Sequence, residues 1–201
     1  MYKRDLKSPC RRHACPRFNN PLAVVLGIAL LCIVFFLGGA PGLSKATFAN
    51  DGWAVLFTFM FAHENVGHLL INLAGLVLAG VLGKETGLSG LKFVLVFFAV
   101  GFAVVPVIFL MPNSYVFMGV SAGICGLLGA EAVELGRYGL SSGKFFLIFA
   151  LALMTDSVVK VLFAVPAAAV QALIHLAALI LGSAIIIIYR STSAGRSDDE
   201  K

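Results

Sequence analysis

Almost every residue between positions 22 and 189 is apolar, and the charged residues are confined to a few short stretches. Apolar residues make up 60% of the 201 residues, whereas Lys, Arg, Asp and Glu make up 12%. An average soluble domain is about 45–50% apolar and about 25% charged. One water-soluble core cannot hide this much apolar surface. The sequence therefore excludes a soluble enzyme and a disordered protein, and it predicts an all-α, multi-pass membrane protein embedded in the lipid bilayer.

Glycine, proline and charged residues divide the apolar region into six predicted transmembrane helices. A helix needs about 20 residues to cross the hydrocarbon, and most of the six segments have about the length needed for one crossing. The predicted spans begin and end near residues 22–37, 63–83, 91–110, 119–136, 145–155 and 167–189. We interpret the first as a retained span and not as a cleaved signal peptide. The aromatic-rich residues 53–62 predict a helix that lies in the membrane interface.

Basic residues lie mainly on one side of this predicted bundle. With the N-terminus inside, thirteen of the fifteen Lys and Arg residues are cytoplasmic, and only Lys45 and Lys160 are not. Cytoplasmic segments of membrane proteins carry such an excess, so both termini are predicted to be cytoplasmic. The net charge of +5 is then a topology signal and not a nucleic-acid-binding surface. We predict a basic segment over residues 1–21, the membrane domain over residues 22–189 and a polar tail over residues 190–201.

Few polar side chains interrupt the spans, because an unpaired polar group in hydrocarbon costs several kcal/mol, and four of them suggest a shared function. His68 and Asn72 share one face of the second span because they are four residues apart. Ser121 starts the fourth span, and His175 lies in the sixth. In the predicted orientation all four lie in the outer part of the membrane. We therefore expect them to meet in one cavity.

These residue types match the needs of acyl transfer. A serine hydroxyl becomes a nucleophile when a base accepts its proton, and histidine is the usual base, so Ser121 and His175 form a candidate pair. The oxyanion formed on attack needs donors, which His68 and Asn72 could supply. Taken singly, a serine at a helix start is more often a cap, and a membrane Asn or His can simply bond another helix. The combination of the four favours catalysis.

Small and charged residues near these positions have structural interpretations. Small residues line one face of the fourth span and one face of the sixth, which predicts close packing of these two helices. The glycines Gly119, Gly123 and Gly182 are expected to support the site. His63 is expected to anchor a loop by a hydrogen bond. Two acidic residues near the end of the fourth span, Glu131 and Glu134, are expected to reach lipid headgroups or Arg137.

The segments HENVGHLLIN, GVSAG and HLAALILG, together with Glu85, resemble the rhomboid intramembrane serine proteases. The resemblance covers about residues 53–182. It implies a six-helix bundle, with Ser121 as nucleophile and His175 as general base. Glu85 is expected to be a structural ligand of neighbouring loop or helix-end groups.

The same resemblance implies that His68 and Asn72 are the oxyanion donors. It further implies single-pass transmembrane proteins as substrates, cut in or near the outer part of the bilayer, with neither metal nor cofactor. The expected location is the cell membrane of a prokaryote, with the active site open to the outer side. Ala122 and Cys125 depart from the glycine and the aromatic residue common in the family, and Cys125 is expected to orient His175 less firmly.

Two other functions are compatible with the sequence. One is a catalytically weak or inactive rhomboid-like protein that binds membrane clients. The other is a small transporter, which would predict broken helices and an internal repeat. A zinc site at Cys10, His13 and Cys15 is disfavoured because the spacing is not a standard one and a fourth ligand is missing.

Overall fold

The computed structural model describes residues 20–139, 141–162 and 168–198, with side chains described up to residues 152 and 192 in the last two segments. Within these residues there is no strand, only an isolated bridge between Leu43 and Phe117. The all-α prediction is therefore confirmed for the described chain. Its helices are α1 (Pro21–Leu37), α2 (Lys45–Asp51), α3 (Trp53–Thr58), α4 (Val66–Thr86), α5 (Gly90–Ala103), α6 (Val105–Ile108), α7 (Ser121–Leu135), α8 (Ser142–Leu162) and α9 (Ala168–Asp198).

Three segments of the described chain are long and apolar enough to cross a membrane. They are Val66–Thr86, Gly90–Ile108 and Ala168–Thr192. Two further apolar helices, Pro21–Leu37 and Ser142–Ala152, are shorter. These helices agree with a polytopic membrane protein. The count of six spans and the cytoplasmic termini stay predictions.

Local capping fixes where the membrane helices begin and end. Asn65 starts α4, because its side-chain oxygen accepts the backbone N–H of His68 at 2.9 Å. The helix ends at Gly87, whose φ of +74° is the left-handed conformation that glycine adopts without steric cost. As a result, α4 starts three residues later than the predicted second span, and His68 lies in its first turn.

The segment between α1 and α4 differs from the prediction of one interfacial helix. An extra short helix, α2, starts at a capping box in which Ser44 and Thr47 bond each other's backbone N–H groups. Next, α3 ends at Thr58, earlier than predicted. Residues 59–62 leave the helix and are buried, because they pass through the core on the way to α4.

Helix α7 lies at the centre of the bundle, and 13 of its 15 residues are buried. Glycines bring it against α9: a Cβ on Gly129 would overlap the Leu179 carbonyl, and one on Gly182 would overlap the Gly126 backbone. The close packing expected of these two helices is present. Gly123 faces α5 and not α9, the helix it was predicted to contact. A Cβ on Gly123 would lie 2.8 Å from a ring carbon of Phe97 on α5.

Helices α4, α7 and α9 run in the same direction, so the bundle has two distinct ends. The first turns of α4 and α7 and the His175 region of α9 meet at one end, which we call the Ser121 end. At the other end, the Glu134 end, the last turns of α7 meet α4 through Thr86 and α9 through Arg190. The helix α9 continues through Tyr189 to Asp198, into the predicted polar tail. The basic side chains associated with the Glu134 end are Lys84, Lys92, Arg137, Lys144 and Arg190.

Candidate active site

Ser121 and His175 are in direct contact. The His175 Nε2 atom lies 3.0 Å from the Ser121 Oγ atom, although the two residues are 54 positions apart in the chain. Ser121 is the first residue of α7, and the buried His175 is on α9. The distance allows the hydroxyl to donate its hydrogen to an unprotonated Nε2. The contact predicted from the sequence is therefore present.

His68 and Asn72 come together over Gly119, two residues before Ser121. A Cβ on Gly119 would lie 2.9 Å from both the His68 Nε2 and the Asn72 Nδ2 atoms, so any larger residue would crowd them. Gly119 also has a φ of +94°, which L side chains rarely adopt. Asn72 is 5% exposed, and its Nδ2 atom has no hydrogen-bond partner among the described residues. This donor is thus unpaired within the described chain, and it lies beside the backbone that leads to Ser121.

The start of α7 adds backbone donors to the same place. Val120 precedes the helix and provides no side-chain cap. Since the first amides of an α-helix have no carbonyl partner within it, the first-turn N–H groups of α7 and the positive end of its dipole are directed at the Ser121 region. Ala122 is inside this turn, where φ is negative, so it is accommodated as well as a glycine would be.

His63 lies beside these donors in the segment that precedes α4. Its Nδ1 atom is 2.9 Å from the Phe61 carbonyl oxygen, which confirms the expected loop-anchoring hydrogen bond. Its ring meets the His68 ring edge to face, with centroids 5.1 Å apart. Burial lowers the pKa of His63, while the Phe61 carbonyl opposes that shift, so the neutral ring is favoured.

A second polar group, missed by sequence reasoning, joins α4 to α7 at the Glu134 end. The Thr86 hydroxyl lies 2.7 Å from the Glu131 Oε2 atom, and Glu131 is fully buried. The expectation that Glu131 reaches lipid headgroups is therefore wrong, because every face of α7 at this depth is covered by other helices. Glu134 forms the expected ion pair with Arg137 at 3.2 Å and a closer one with Arg190 at 2.7 Å.

Glu85 does not make the contacts expected of it within the described chain. Its side chain is exposed, and no hydrogen bond or ion pair to another described residue involves it. The reason is its position on α4: successive residues of a helix point about 100° apart, so Thr86 faces α7 while Glu85 faces outward. Thr86 provides the helix-end contact instead, and its carbonyl also accepts the Tyr138 hydroxyl at 3.2 Å.

The described residues around Ser121 include neither a group of metal ligands nor a disulfide. In the described segments, no three His, Cys, Asp or Glu side chains are grouped as metal ligands. Cys125 is a free, buried thiol one turn after Ser121. Its effect on the orientation of His175 stays a prediction. Cys10, His13 and Cys15 lie outside the described residues.

A scan against protein families matches the rhomboid domain to residues 50–192. The chain belongs to the rhomboid family. This confirms the resemblance inferred from the sequence motifs, and it supports an integral membrane protein. The matched range runs from α2 into α9, so it includes the Ser121 end and the Glu134 end of the bundle. No curated protein matches the chain.

Proposed function

We propose that this rhomboid-family protein is a serine endopeptidase that cleaves single-pass transmembrane proteins. The observation that carries the proposal is the 3.0 Å contact between the His175 Nε2 and the Ser121 Oγ atoms. Nucleophile and base at hydrogen-bond distance, with further donors close by, are the arrangement that acyl transfer requires.

In the first half-reaction, the Ser121 oxygen attacks the carbonyl carbon of the scissile peptide bond, and its proton passes to the His175 Nε2 atom. The negative charge that forms on the carbonyl oxygen is stabilised by His68, Asn72 and the first amides of α7. The carbon–nitrogen bond then breaks. His175 gives its proton to the leaving amine, and the acyl group remains on Ser121 as an ester.

In the second half-reaction, water attacks the ester carbonyl while His175 accepts a water proton. The same donors stabilise the second oxyanion. When the intermediate collapses, the Ser121 oxygen leaves and recovers a proton from His175, and the new carboxylic acid is released. The overall reaction is the hydrolysis of one peptide bond, which these protein groups can catalyse as an acid–base and nucleophilic cycle.

The membrane orientation is part of the proposal. The described basic side chains favour the Glu134 end as the cytoplasmic end, because only Lys45 belongs to a segment near the other. The Ser121 end then opens to the outer side of the cell membrane. A substrate helix would be cut in or near the outer part of the bilayer, where a segment of small residues can unwind into the site.

The direct test is cleavage of a model single-pass substrate by the full chain reconstituted in lipid vesicles. We expect Ser121→Ala and His175→Ala each to lower turnover by about 10⁴-fold or more, since a single member of such a pair abolishes most of the catalysis. A fluorophosphonate should label the wild type and not Ser121→Ala. Ser191→Ala is the matched control, because Ser191 is exposed and bonds only within its own helix at the Ile187 carbonyl.

Equal cleavage by the wild type and Ser121→Ala would contradict the proposal. A wild type that binds the substrate but neither cleaves it nor reacts with the fluorophosphonate would favour the catalytically inactive client-binding protein.

A further inference from the structure

The residues between α3 and α4 form a buried, non-helical segment directly behind the proposed oxyanion donors. From Phe59 to His63 every residue is buried, although the segment has no regular structure. Polar backbone groups in such a place need partners. Two of its carbonyl oxygens have partners that belong to the site.

Each of these hydrogen bonds ties the segment to a different part of the site. The Phe59 carbonyl accepts the Gly119 backbone N–H at 3.1 Å, just before Ser121. The Phe61 carbonyl lies 2.9 Å from the His63 Nδ1 atom. His63 in turn packs its ring against His68. The segment therefore connects the backbone that precedes the nucleophile to the ring of a proposed oxyanion donor.

We propose that His63 is a positioning residue that holds the His68 ring with its Nε2 atom directed at Gly119. The inference rests on the proposed function, since the value of this orientation is the stabilisation of an oxyanion beside Ser121. The two rings meet edge to face at 65°, a geometry that restricts rotation of both. His63 itself is fixed by its hydrogen bond to Phe61.

The hydrogen bond to Phe61 also determines the tautomer of His63. A carbonyl accepts only from a protonated ring nitrogen, so Nδ1 carries the hydrogen. The Nε2 atom is buried and has no partner among the described residues, so a second proton there would place an uncompensated charge in the core. His63 is therefore a neutral ring. It does not repel a partial positive charge on His68 when that ring donates its hydrogen to the oxyanion.

The experiment separates the ring of His63 from its hydrogen bond. His63→Phe keeps an aromatic ring and removes the hydrogen bond, whereas His63→Asn keeps a donor and removes the ring. We expect His63→Asn to lower kcat about 10- to 100-fold with KM changed less than about twofold, because a misdirected donor loses part of its transition-state contribution. His63→Phe should stay within about threefold of the wild-type kcat.

A double-mutant cycle with His68→Ala distinguishes positioning from general destabilisation. In the His68→Ala background, His63→Asn should change kcat by less than about twofold, because there is no ring left to position. Thermal unfolding of each variant in the same detergent checks that folding is retained. If His63→Asn does not fold, His63→Phe carries the test, and a tenfold loss of kcat in that variant overturns the inference.

The possible failures are distinguishable. A wild type that neither cleaves nor reacts with a fluorophosphonate overturns the proposed function and this inference together. An active wild type with unchanged kcat in His63→Asn overturns the inference alone. An equal loss of kcat on His63→Asn in the wild-type and His68→Ala backgrounds also overturns the inference alone. His63 would then act on folding and not through His68.

Discussion

The two ends of the α4, α7 and α9 core use polar residues in opposite ways. At the Ser121 end, the three helices bring Asn72, Ser121 and His175 together, and the Asn72 amide has a donor without a described partner. At the Glu134 end, α4 and α9 bring hydroxyl and basic groups to the acidic groups of α7, and Thr86–Glu131 and Arg190–Glu134 pairs form, although the second Glu131 oxygen, Oε1, has no hydrogen-bond partner among the described residues. Unpaired donors cost stability, whereas paired charges in a half-buried place fix helix positions. One end is therefore suited to chemistry and the other to holding the bundle together.

The largest expected effect at the Ser121 end, apart from loss of the nucleophile or base, comes from the oxyanion donors. We expect His68→Ala and Asn72→Ala each to lower kcat about 10²- to 10³-fold, because each removes a hydrogen bond that is formed only in the transition state. Asn72→Ala should not lower the melting temperature, since its Nδ2 donor has no described partner to lose. Turnover against the model substrate and thermal unfolding, measured on the same preparations, check both statements.

Unchanged turnover in both variants would assign oxyanion stabilisation to the amides of α7 alone. A large fall in melting temperature for Asn72→Ala would show that Asn72 contributes to packing, and the contrast between the two ends would be lost.

At the Glu134 end, we expect substitutions to lower stability and to leave turnover nearly unchanged. Glu134→Ala leaves Arg190 without its 2.7 Å partner, so we expect a loss of about 1–3 kcal/mol in the free energy of unfolding and little change in kcat. Arg137→Ala is the control. Arg137 is largely exposed, and an exposed ion pair contributes about 0–1 kcal/mol.

Chemical denaturation in detergent measures these free energies. The comparison fails if Glu134→Ala lowers kcat at a temperature where the variant is fully folded, because the two ends would then be coupled.

The smallest expected effect is a dependence of stability on pH that comes from His63. Burial lowers the pKa of this residue in the folded protein, so below about pH 6.5 the unfolded chain binds a proton that the folded chain does not. The contribution of His63 to stability is therefore complete above about pH 6.5 and is lost as the pH falls toward the lowered pKa. His63→Phe should lack this component. Denaturation curves of both proteins at about pH 5 and pH 7.5 test it, and identical pH dependences would contradict the assignment.

Sequence reasoning found the Ser121 end because polar residues are conspicuous in apolar spans. Ser121, His175, His68 and Asn72 stand out for that reason, and helical spacing correctly put His68 and Asn72 on one face. The same reasoning failed for Glu131, because its position near the end of the fourth span predicts a contact with headgroups or Arg137. Burial of Glu131 depends on α4 covering that face of α7, and this is a property of packing that apolar periodicity cannot give when a helix is buried on all sides.

The region before α4 was predicted less well for a different reason. Hydropathy extended the interfacial helix to residue 62, but the chain leaves the helix after Thr58. A buried non-helical segment has the same apolar composition as a helix, so its sequence carries no signal of the change. For α2 a signal was present, since Ser44 and Thr47 have the spacing of a capping box.

The length of α7 has a consequence for the second reactant of hydrolysis. Its 15 residues rise about 22 Å, whereas the hydrocarbon of a bilayer is about 30 Å thick. In the proposed orientation Arg137 and the Glu134 ion pairs lie at the level of the headgroups, so α7 starts below the outer surface of the membrane. Protein and not lipid surrounds this helix, since 13 of its 15 residues are buried. We therefore expect the water for the second half-reaction to reach Ser121 from the outer end of the bundle, past the start of this short central helix.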